Sequence, residues 1–304
     1  MKRFTQTIDC HQHRWPAVLV EELRRRRTPP MLRGWTLHLA GEPAYAVDPA
    51  DHDAERRAGL DAEDGVDLTL NALSAPLGIE GLPPEEAAPL LEAWHGYADS
   101  LDPARERVWA APALVEPDVE TLAKTLAHPA VCGLQVPATA MGTPAALERL
   151  TPQLAEVELA GKPVLVHPGP ARPAAEELPG WWPAVVDYPG QQAAAWHAFR
   201  VAGRSALPAL RIGFVALAGL APLHHERMAR RGAGGAVLDP GVFYETSSYG
   251  RQAIDAMTRV TGVDVLVLGS DRPYAVADDP ALGAAFERLW RVTNPARFLE
   301  GDAP

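Results

Sequence analysis

The 304-residue sequence predicts a single α/β domain, a (β/α)8 TIM barrel that spans residues 1–304. The chain contains eight apolar, strand-like runs, and stretches with helical spacing lie between them. Its length is ordinary for one such barrel. No G-x-G-x-x-G motif follows an early strand, which weakens the alternative of an open dinucleotide-binding sheet.

The predicted strands are short apolar runs that recur along the whole chain. In order they are FTQTIDCH (4–11), DLTLNAL (67–73), VWAAPAL (108–114), VCGLQV (131–136), PVLVH (163–167), RIGFVAL (211–217), VFYETS (242–247) and VDVLVLGSD (263–271). Intervening stretches such as DVETLAKTLAHP and QQAAAWHAFRVAGR have helical spacing, and several of them close on Gly or Pro.

Two segments do not fit this alternation. Arg27–Pro49 follows the first short helix, and we expect a small insertion there, irregular or β. Pro168–Gly190 follows the fifth strand and carries Trp181 and Trp182. Because loops after the strands line the active face of a barrel, both segments are candidate walls or lids of a pocket. Exposed packing contacts are the alternative for the two tryptophans.

Composition excludes several classes of protein. The formal charge is −11, whereas nucleic-acid binding usually needs a basic surface, so nucleic acid is not an expected partner. No apolar run is long enough to span a membrane, and no signal-peptide stretch is evident, so a cytoplasmic location is expected. Two cysteines cannot form a disulfide framework, and we expect Cys10 and Cys132 to be buried, reduced thiols.

Polar residues stand at the ends of three predicted strands. The stretch TIDCHQHRWP alternates Asp9, His11 and His13, which places their side chains on one face of an extended chain. His167 ends the fifth strand and Asp271 ends the eighth. Since the carboxyl ends of barrel strands meet at one mouth, three imidazoles and a carboxylate form a candidate site for Zn²⁺ or a similar divalent ion.

These motifs resemble the amidohydrolase superfamily, specifically the branch that includes aminocarboxymuconate-semialdehyde decarboxylase and 2-pyrone-4,6-dicarboxylate lactonase. The resemblance covers nearly the whole chain in order: IDCHQH as D-x-H-x-H, KPVLVHPG, LGSDRPY as GSD-x-P, and the closing NPARFL. It implies one divalent metal, Zn²⁺ by expectation, with four ligands: His11, His13, His167 and Asp271. Among these, His167 and Asp271 are also assigned catalytic roles.

The resemblance also bears on residues that are not ligands. Strand four carries Gln135 where binuclear members have a bridging lysine, which argues against a second metal. Asp9 is expected to orient a histidine or to close the barrel floor. On strand six, Ala216 stands where the family usually has a histidine, and alanine cannot transfer protons. Asp271 is the better candidate to transfer protons in place of this histidine, and His197, His224 and His225 are the alternatives.

Substrate contacts are expected from residues near the strand ends. The candidates are Arg14, Trp15, Trp181, Ser247, Arg251 and Arg272. Arginine pairs bidentately with carboxylates, so these arginines would suit a small organic acid. The chain has 25 arginines against three lysines, however, and a surface charge is the alternative for any one of them.

Three functions remain open at this stage. The first is a metal-dependent hydrolase in which activated water attacks an amide, a lactone or a related carbon of a small, carboxylate-bearing molecule. The second is non-oxidative decarboxylation of an aromatic or unsaturated acid. The third is a barrel without metal chemistry, which the alanine on strand six keeps open. The resemblance implies a homodimer, and the expected partner is a small-molecule substrate rather than nucleic acid or membrane.

Overall fold

The computed structural model describes residues 5–173, 178–233 and 238–301. Within these ranges the strands are β1 (Ile8–Gln12), β2 (Met31–Arg33), β3 (Thr36–His38), β4 (Tyr45–Ala46), β5 (Leu68–Asn71), β6 (Glu106–Ala110), β7 (Val131–Pro137), β8 (Val164–His167), β9 (Ile212–Phe214), β10 (Val242–Glu245) and β11 (Leu266–Val267). The helices are α1 (Ala17–Arg25), α2 (Ala54–Glu63), α3 (Pro84–Gly96), α4 (Val119–Leu126), α5 (Pro144–Leu159), α6 (Tyr188–Ala198), α7 (Arg204–Ala206), α8 (His225–Arg230), α9 (Arg251–Thr261), α10 (Ala284–Arg288) and α11 (Asn294–Glu300).

Eight of the strands form one parallel sheet in the order β1, β5, β6, β7, β8, β9, β10, β11. Backbone bonds bring the first strand against the last: Cys10 N donates to Leu268 O at 2.9 Å, and Asp271 N donates to His11 O at 2.9 Å. A further bond of 2.7 Å joins His13 N to Arg272 O. These bonds close the sheet into a barrel and confirm the predicted (β/α)8 architecture.

An apolar layer fills the barrel beneath the polar strand ends. The ring of Phe298, from α11, lies 5.0 Å from that of Phe243 and 5.6 Å from that of Trp109. Gly213 allows this approach, since a Cβ there would lie 2.6 Å from Phe298 Cζ. The barrel is therefore a packed core with one polar end.

The predicted insertion after the first strand is a small antiparallel sheet of β2, β3 and β4. In the second irregular segment, a wide helical turn at Pro183–Asp187 leads into α6, and residues 174–177 lie outside the described residues. The last strand is shorter than expected, because a 3₁₀ turn at Val263–Val265 takes up its first residues.

Two expectations from composition also have structural outcomes. Cys10 and Cys132 are both buried and unpaired, as expected. None of the helices in the three described ranges is long and apolar enough to cross a membrane. The outer bounds of the predicted domain, residues 1–4 and 302–304, lie outside the described residues.

Candidate metal centre

Four predicted ligands come together at the mouth of the barrel. One ligand atom from each of His11, His13, His167 and Asp271 lies within 4.8 Å of the others. His11 Nε2 is 3.0 Å from His13 Nε2, and Asp271 Oδ1 is 3.2 Å from His13 Nε2 and 3.7 Å from His11 Nε2. The three imidazole rings stand nearly edge to face, with centroids 4.8 to 5.0 Å apart.

Each histidine has a hydrogen-bond acceptor behind it. The Nδ1 atoms of His13 and His167 lie 2.8 and 2.9 Å from the carbonyl oxygens of Ala72 and Pro168, respectively. His11 Nδ1 lies 3.3 Å from Glu245 Oε2. An acceptor at Nδ1 favours the tautomer that carries its proton there, which leaves the Nε2 lone pair free.

This arrangement fits a divalent cation. Two Nε2 lone pairs that face each other at 3.0 Å repel unless a proton or a cation lies between them. Ligand atoms about 2.1 Å from a tetrahedral ion would be about 3.4 Å apart, and the three distances given above are close to that value. Three imidazole nitrogens and one carboxylate oxygen suit Zn²⁺ or Mn²⁺.

Burial and charge act in opposite directions on these ligands. His13 and His167 are almost completely buried, and burial lowers the pKa of each. For His11, burial also lowers the pKa, but the adjacent Glu245 and Asp271 carboxylates outweigh it and the net shift is upward. Burial raises the pKa of Asp271, yet its hydrogen bond with His13 and the nearby imidazoles give a net decrease.

Glu245 is a functional candidate that the sequence analysis missed. It ends β10, and its side chain is fully buried. Besides His11, its Oε2 accepts from the Ser247 hydroxyl at 2.8 Å and from Ala216 N at 3.2 Å, while Oε1 accepts from Ser247 N. A buried carboxylate with these partners orients the His11 ring and fixes its tautomer. The signal in the sequence was a glutamate inside an otherwise apolar strand.

Asp9 bonds to the backbone of the cluster and not to its ligand side chains. Its Oδ1 accepts from the backbone N–H groups of His11 and Ser270, both at 3.1 Å, and its Oδ2 accepts from Gln12 Nε2 at 2.8 Å. The carboxylate therefore ties the ligand-bearing end of β1 to the loop that carries Asp271. Burial raises its pKa despite these bonds.

Arg57, from α2, also bonds to both the end of β1 and the loop that carries Asp271. Its guanidinium donates to His13 O at 2.8 Å and to Arg272 O at 3.3 Å, and it also bonds to the Gln12 side chain. The side chain is buried, and burial lowers its pKa. No motif in the sequence marked this residue.

Ala216 begins a left-handed turn. Residues 216–220 all have positive φ, from 48° at Ala216 to 61° at Leu220, and only Gly219 among them is a glycine. Left-handed backbone costs about 1–2 kcal/mol for each residue with a side chain. Gly219 is required here for a second reason, since a Cβ would lie 2.1 Å from Pro189 O. The turn directs the Ala216 amide at Glu245, so this position supplies a backbone donor and no acid or base.

Gln135 makes a buried pair with Glu80. Gln135 Nε2 donates to Glu80 Oε1 at 3.3 Å, and both side chains are almost inaccessible. Within the described part of the chain, neither Glu80 Oε2 nor Gln135 Oε1 has a hydrogen-bond partner. Burial raises the pKa of Glu80 to about 7. A neutral Glu80 can donate its proton to Gln135 Oε1, which satisfies both atoms in a reciprocal pair.

Two of the arginines predicted to bind substrate are engaged in ion pairs. Arg14 donates to Glu106 at 2.7 Å and also to the Tyr97 hydroxyl. Arg272 donates to Asp64 at 2.6 Å. Arg251 is exposed at the first residue of α9.

The other predicted substrate contacts differ in their relation to the cluster. Trp15 is buried, and its indole N–H donates to Ser74 Oγ, which lies 3.3 Å from His13 Nδ1. Ser247 is buried as well, and its hydroxyl donates to Glu245 Oε2. Trp181 is 56% exposed, and its ring centroid lies 5.7 Å from that of Trp182. Trp15 and Ser247 thus act on the cluster through one intervening residue.

None of the three helix histidines is part of the four-residue cluster. His197 contacts the ring of Trp196 in α6. His224 lines a surface cavity with arginines of α8, and His225 begins that helix. A second cavity of about 360 Å³ lies between α3 and α4 and is mostly apolar, and none of the four ligands lines it.

Solved structures with this architecture are numerous, although no family model and no curated protein matches the sequence. IDCase from Metarhizium anisopliae is 16% identical, with a TM-score of 0.79 over 98% of both chains. 2,6-Dihydroxybenzoate decarboxylase from Rhizobium is also 16% identical, with a TM-score of 0.71 over 98% of this chain and all of the other. Both likenesses show that this chain shares the barrel fold of these enzymes.

A third similar structure contains a metal and a ring acid. It is 5-carboxyvanillate decarboxylase from Novosphingobium aromaticivorans, solved with bound manganese and 3-methoxy-4-hydroxy-5-nitrobenzoic acid. Its identity is 16% and its TM-score 0.73, over 97% of each chain. At this level of identity the similarity establishes the fold, and it confirms the structural part of the resemblance found in the sequence.

Proposed function

We propose that this protein is a metal-dependent, non-oxidative decarboxylase of a small aromatic or unsaturated carboxylic acid. The observation that carries the proposal is the convergence of His11, His13, His167 and Asp271 at the barrel mouth, with each histidine oriented through Nδ1. Similar structures that are described as decarboxylases of ring acids support it.

His11, His13, His167 and Asp271 would hold a divalent ion, which would supply Lewis-acid polarisation of a substrate carboxylate. Asp271 is suited to carry the proton, because its side chain is 22% exposed whereas the side chains of His11 and His13 are 1% exposed. When carbon dioxide leaves, the electron pair stays on the substrate carbon, and Asp271 delivers a proton from solvent to that carbon. His167 completes the ligand set.

Either Zn²⁺ or Mn²⁺ satisfies this donor set. Zinc was the expectation from the sequence, and manganese occurs in one of the similar structures. We therefore propose one divalent ion of this group, with its identity to be determined by metal analysis. Cytoplasmic location and a homodimer stay predictions, as does the use of Trp181 and Arg251 in substrate binding.

Hydrolysis is the leading expectation from the sequence alone, and it is the second candidate function once the similar structures are considered. The same ligands can support attack by water, but the similar decarboxylase structures favour loss of carbon dioxide. A barrel without metal chemistry is disfavoured by the convergence of three imidazoles and one carboxylate, the donor set of a divalent ion, within 4.8 Å of one another.

The test uses the purified protein loaded with Mn²⁺ or Zn²⁺ and a panel of ring acids that includes 2,6-dihydroxybenzoate and 5-carboxyvanillate. We expect metal-dependent release of carbon dioxide that a chelator abolishes and that His13→Ala lacks. If the loaded protein releases no carbon dioxide from any ring acid but opens a lactone or cleaves an amide, the proposal is wrong and hydrolysis replaces it.

A further inference from the structure

Four polar side chains from the insertion, from α6 and from the loop after the last strand form a connected group that meets the cluster at Tyr274. Tyr274 follows the last strand, and its ring centroid is 5.5 Å from that of His13. Tyr188 begins α6, and its hydroxyl donates to Oε1 of Glu42 at 2.5 Å. Tyr45 lies in β4 and interacts with Tyr274 through its hydroxyl. We call Glu42, Tyr45, Tyr188 and Tyr274 the tyrosine roof.

Close backbone contact joins the insertion that carries Glu42 and Tyr45 to the loop that follows β8. A Cβ on Gly41 would lie 2.0 Å from Ala171 O, so the inserted sheet rests directly on the loop that follows β8. Glu42 is the next residue, and its bond to Tyr188 joins the same two loops. Tyr274 also interacts with Ser74, which contacts His13 Nδ1. The roof is therefore connected to the cluster as well as to the insertion.

The surroundings of the roof are acidic and phenolic. The largest charge effects on the pKa values of its four groups come from Asp187, Asp271 and the roof residues themselves. Burial raises the pKa of Glu42, which indicates a poorly hydrated carboxyl group.

The buried arginines near the ligand strands are engaged elsewhere. Arg14 pairs with Glu106, Arg272 pairs with Asp64, and Arg57 bonds to backbone carbonyls. A second carboxylate on a substrate at this place would face the Glu42 carboxyl group, and Arg14, Arg57 and Arg272 are not free to neutralise it. A hydroxyl group at the same place could donate to Glu42 or exchange hydrogen bonds with the tyrosines.

We propose that the tyrosine roof selects ring acids whose end remote from the reacting carboxylate bears a neutral hydrogen-bond donor, and that it rejects acids with a second carboxylate there. This specificity rests on the proposed function, which places the first carboxylate at the His/His/His/Asp cluster. Glu42 accepts the donor, and the tyrosine rings flank the substrate ring. The substrate class is a ring monocarboxylate with a remote hydroxyl or similar group.

The test measures binding, so it needs no turnover. Isothermal titration calorimetry of the Mn²⁺-loaded protein compares 4-(hydroxymethyl)benzoate with benzene-1,4-dicarboxylate. These probes differ only in the group opposite the first carboxylate, and neither has a ring hydroxyl to activate loss of carbon dioxide. We expect the hydroxymethyl acid to bind at least about tenfold more tightly, because like charges in close contact are strongly disfavoured.

Variants locate the source of this preference. Glu42→Gln should reduce the preference to about threefold or less, since it removes the repelling charge and keeps the side-chain shape. Glu148→Gln, at an exposed position on α5, is the matched control and should keep the wild-type ratio. Tyr188→Phe removes the hydroxyl that orients Glu42 and should weaken binding of the hydroxymethyl acid more than that of the dicarboxylate.

Three outcomes would overturn the inference: no binding of either probe, equal or preferred binding of the dicarboxylate, or an unchanged ratio in Glu42→Gln. If the protein binds the hydroxymethyl acid more tightly as expected but decarboxylates no acid, the proposed function is refuted and the selectivity of the tyrosine roof stands. Release of carbon dioxide without the preference would refute the selectivity alone.

Discussion

Replacement of Glu245 should weaken metal binding although this residue is not a ligand. Its carboxylate accepts four hydrogen bonds, from His11 Nδ1, the Ser247 hydroxyl, Ser247 N and Ala216 N. In Glu245→Ala all four donors lose their acceptor in a site that solvent does not reach. The His11 ring is then free to rotate or to change tautomer, and its Nε2 is no longer held towards the other ligands.

The magnitude follows from these contacts. Loss of a carboxylate that orients a ligating histidine typically weakens metal affinity about 10- to 100-fold, or about 1.4–2.7 kcal/mol. We expect Glu245→Ala near the upper value. Four lost hydrogen bonds at about 1 kcal/mol each also lower the free energy of unfolding of the metal-free protein by roughly 4 kcal/mol. Glu245→Gln should lie near the lower value, because its amide oxygen can still accept from His11.

The assay is competition for Zn²⁺ between the protein and a chromogenic chelator, together with urea unfolding of the metal-free protein. Glu106→Gln is the matched control, since Glu106 is also a strand glutamate but pairs with Arg14 and contacts none of the four ligands. Its metal affinity should stay within about twofold of wild type. Wild-type affinity in Glu245→Ala, or an equal loss in Glu106→Gln, would refute the positioning role of Glu245.

Three further predictions concern single residues. Asp271→Asn should lower kcat about 100-fold or more in the metal-saturated enzyme, because it removes the proton carrier, while the thermal midpoint changes little. Glu80→Gln should flatten the pH dependence of stability: the folded state raises the pKa of Glu80 from 4.5 to about 7, so its stabilising contribution is complete below about pH 4.5 and is lost as pH rises through 7. This contribution is about 3 kcal/mol. His224→Ala and His225→Ala should each leave kcat within about twofold of wild type, since neither residue belongs to the cluster.

The outcomes that contradict these predictions are distinct. Asp271→Asn with wild-type turnover would remove Asp271 from the chemistry. An unfolding free energy that varies with pH between about 4.5 and 7 equally in wild type and Glu80→Gln would show that Glu80 is not a buried neutral acid. A large loss of kcat in either helix-histidine variant would identify that histidine as the proton carrier, in place of the strand-six histidine that this chain replaces by Ala216.

The ligands could be predicted because the rule that locates them is local. A polar residue at the end of an apolar strand faces the barrel mouth, and this applies separately to His13, His167 and Asp271. The same alternation that groups His11 with His13 also places Arg14 on the opposite face of the chain, where it pairs with Glu106. The role of Arg14 as a substrate contact stays a prediction, and its pairing with Glu106 is what the alternation indicates.

The remaining features depend on contacts between distant parts of the chain. Glu245 meets His11 across 234 positions, so nothing beside either residue indicates the pair. The tyrosine roof combines residues from an insertion, a helix and a strand-end loop, and only the folded barrel brings them together. The left-handed turn after Phe214 is equally hidden, since four of its five residues are not glycine.

The most direct test of the metal centre is an anomalous difference map from crystals of the protein saturated with Mn²⁺. We expect one peak between His11, His13, His167 and Asp271, about 2.0–2.3 Å from each ligand atom. A map with no peak among these four residues at saturating Mn²⁺ would contradict the metal centre and with it the proposed chemistry.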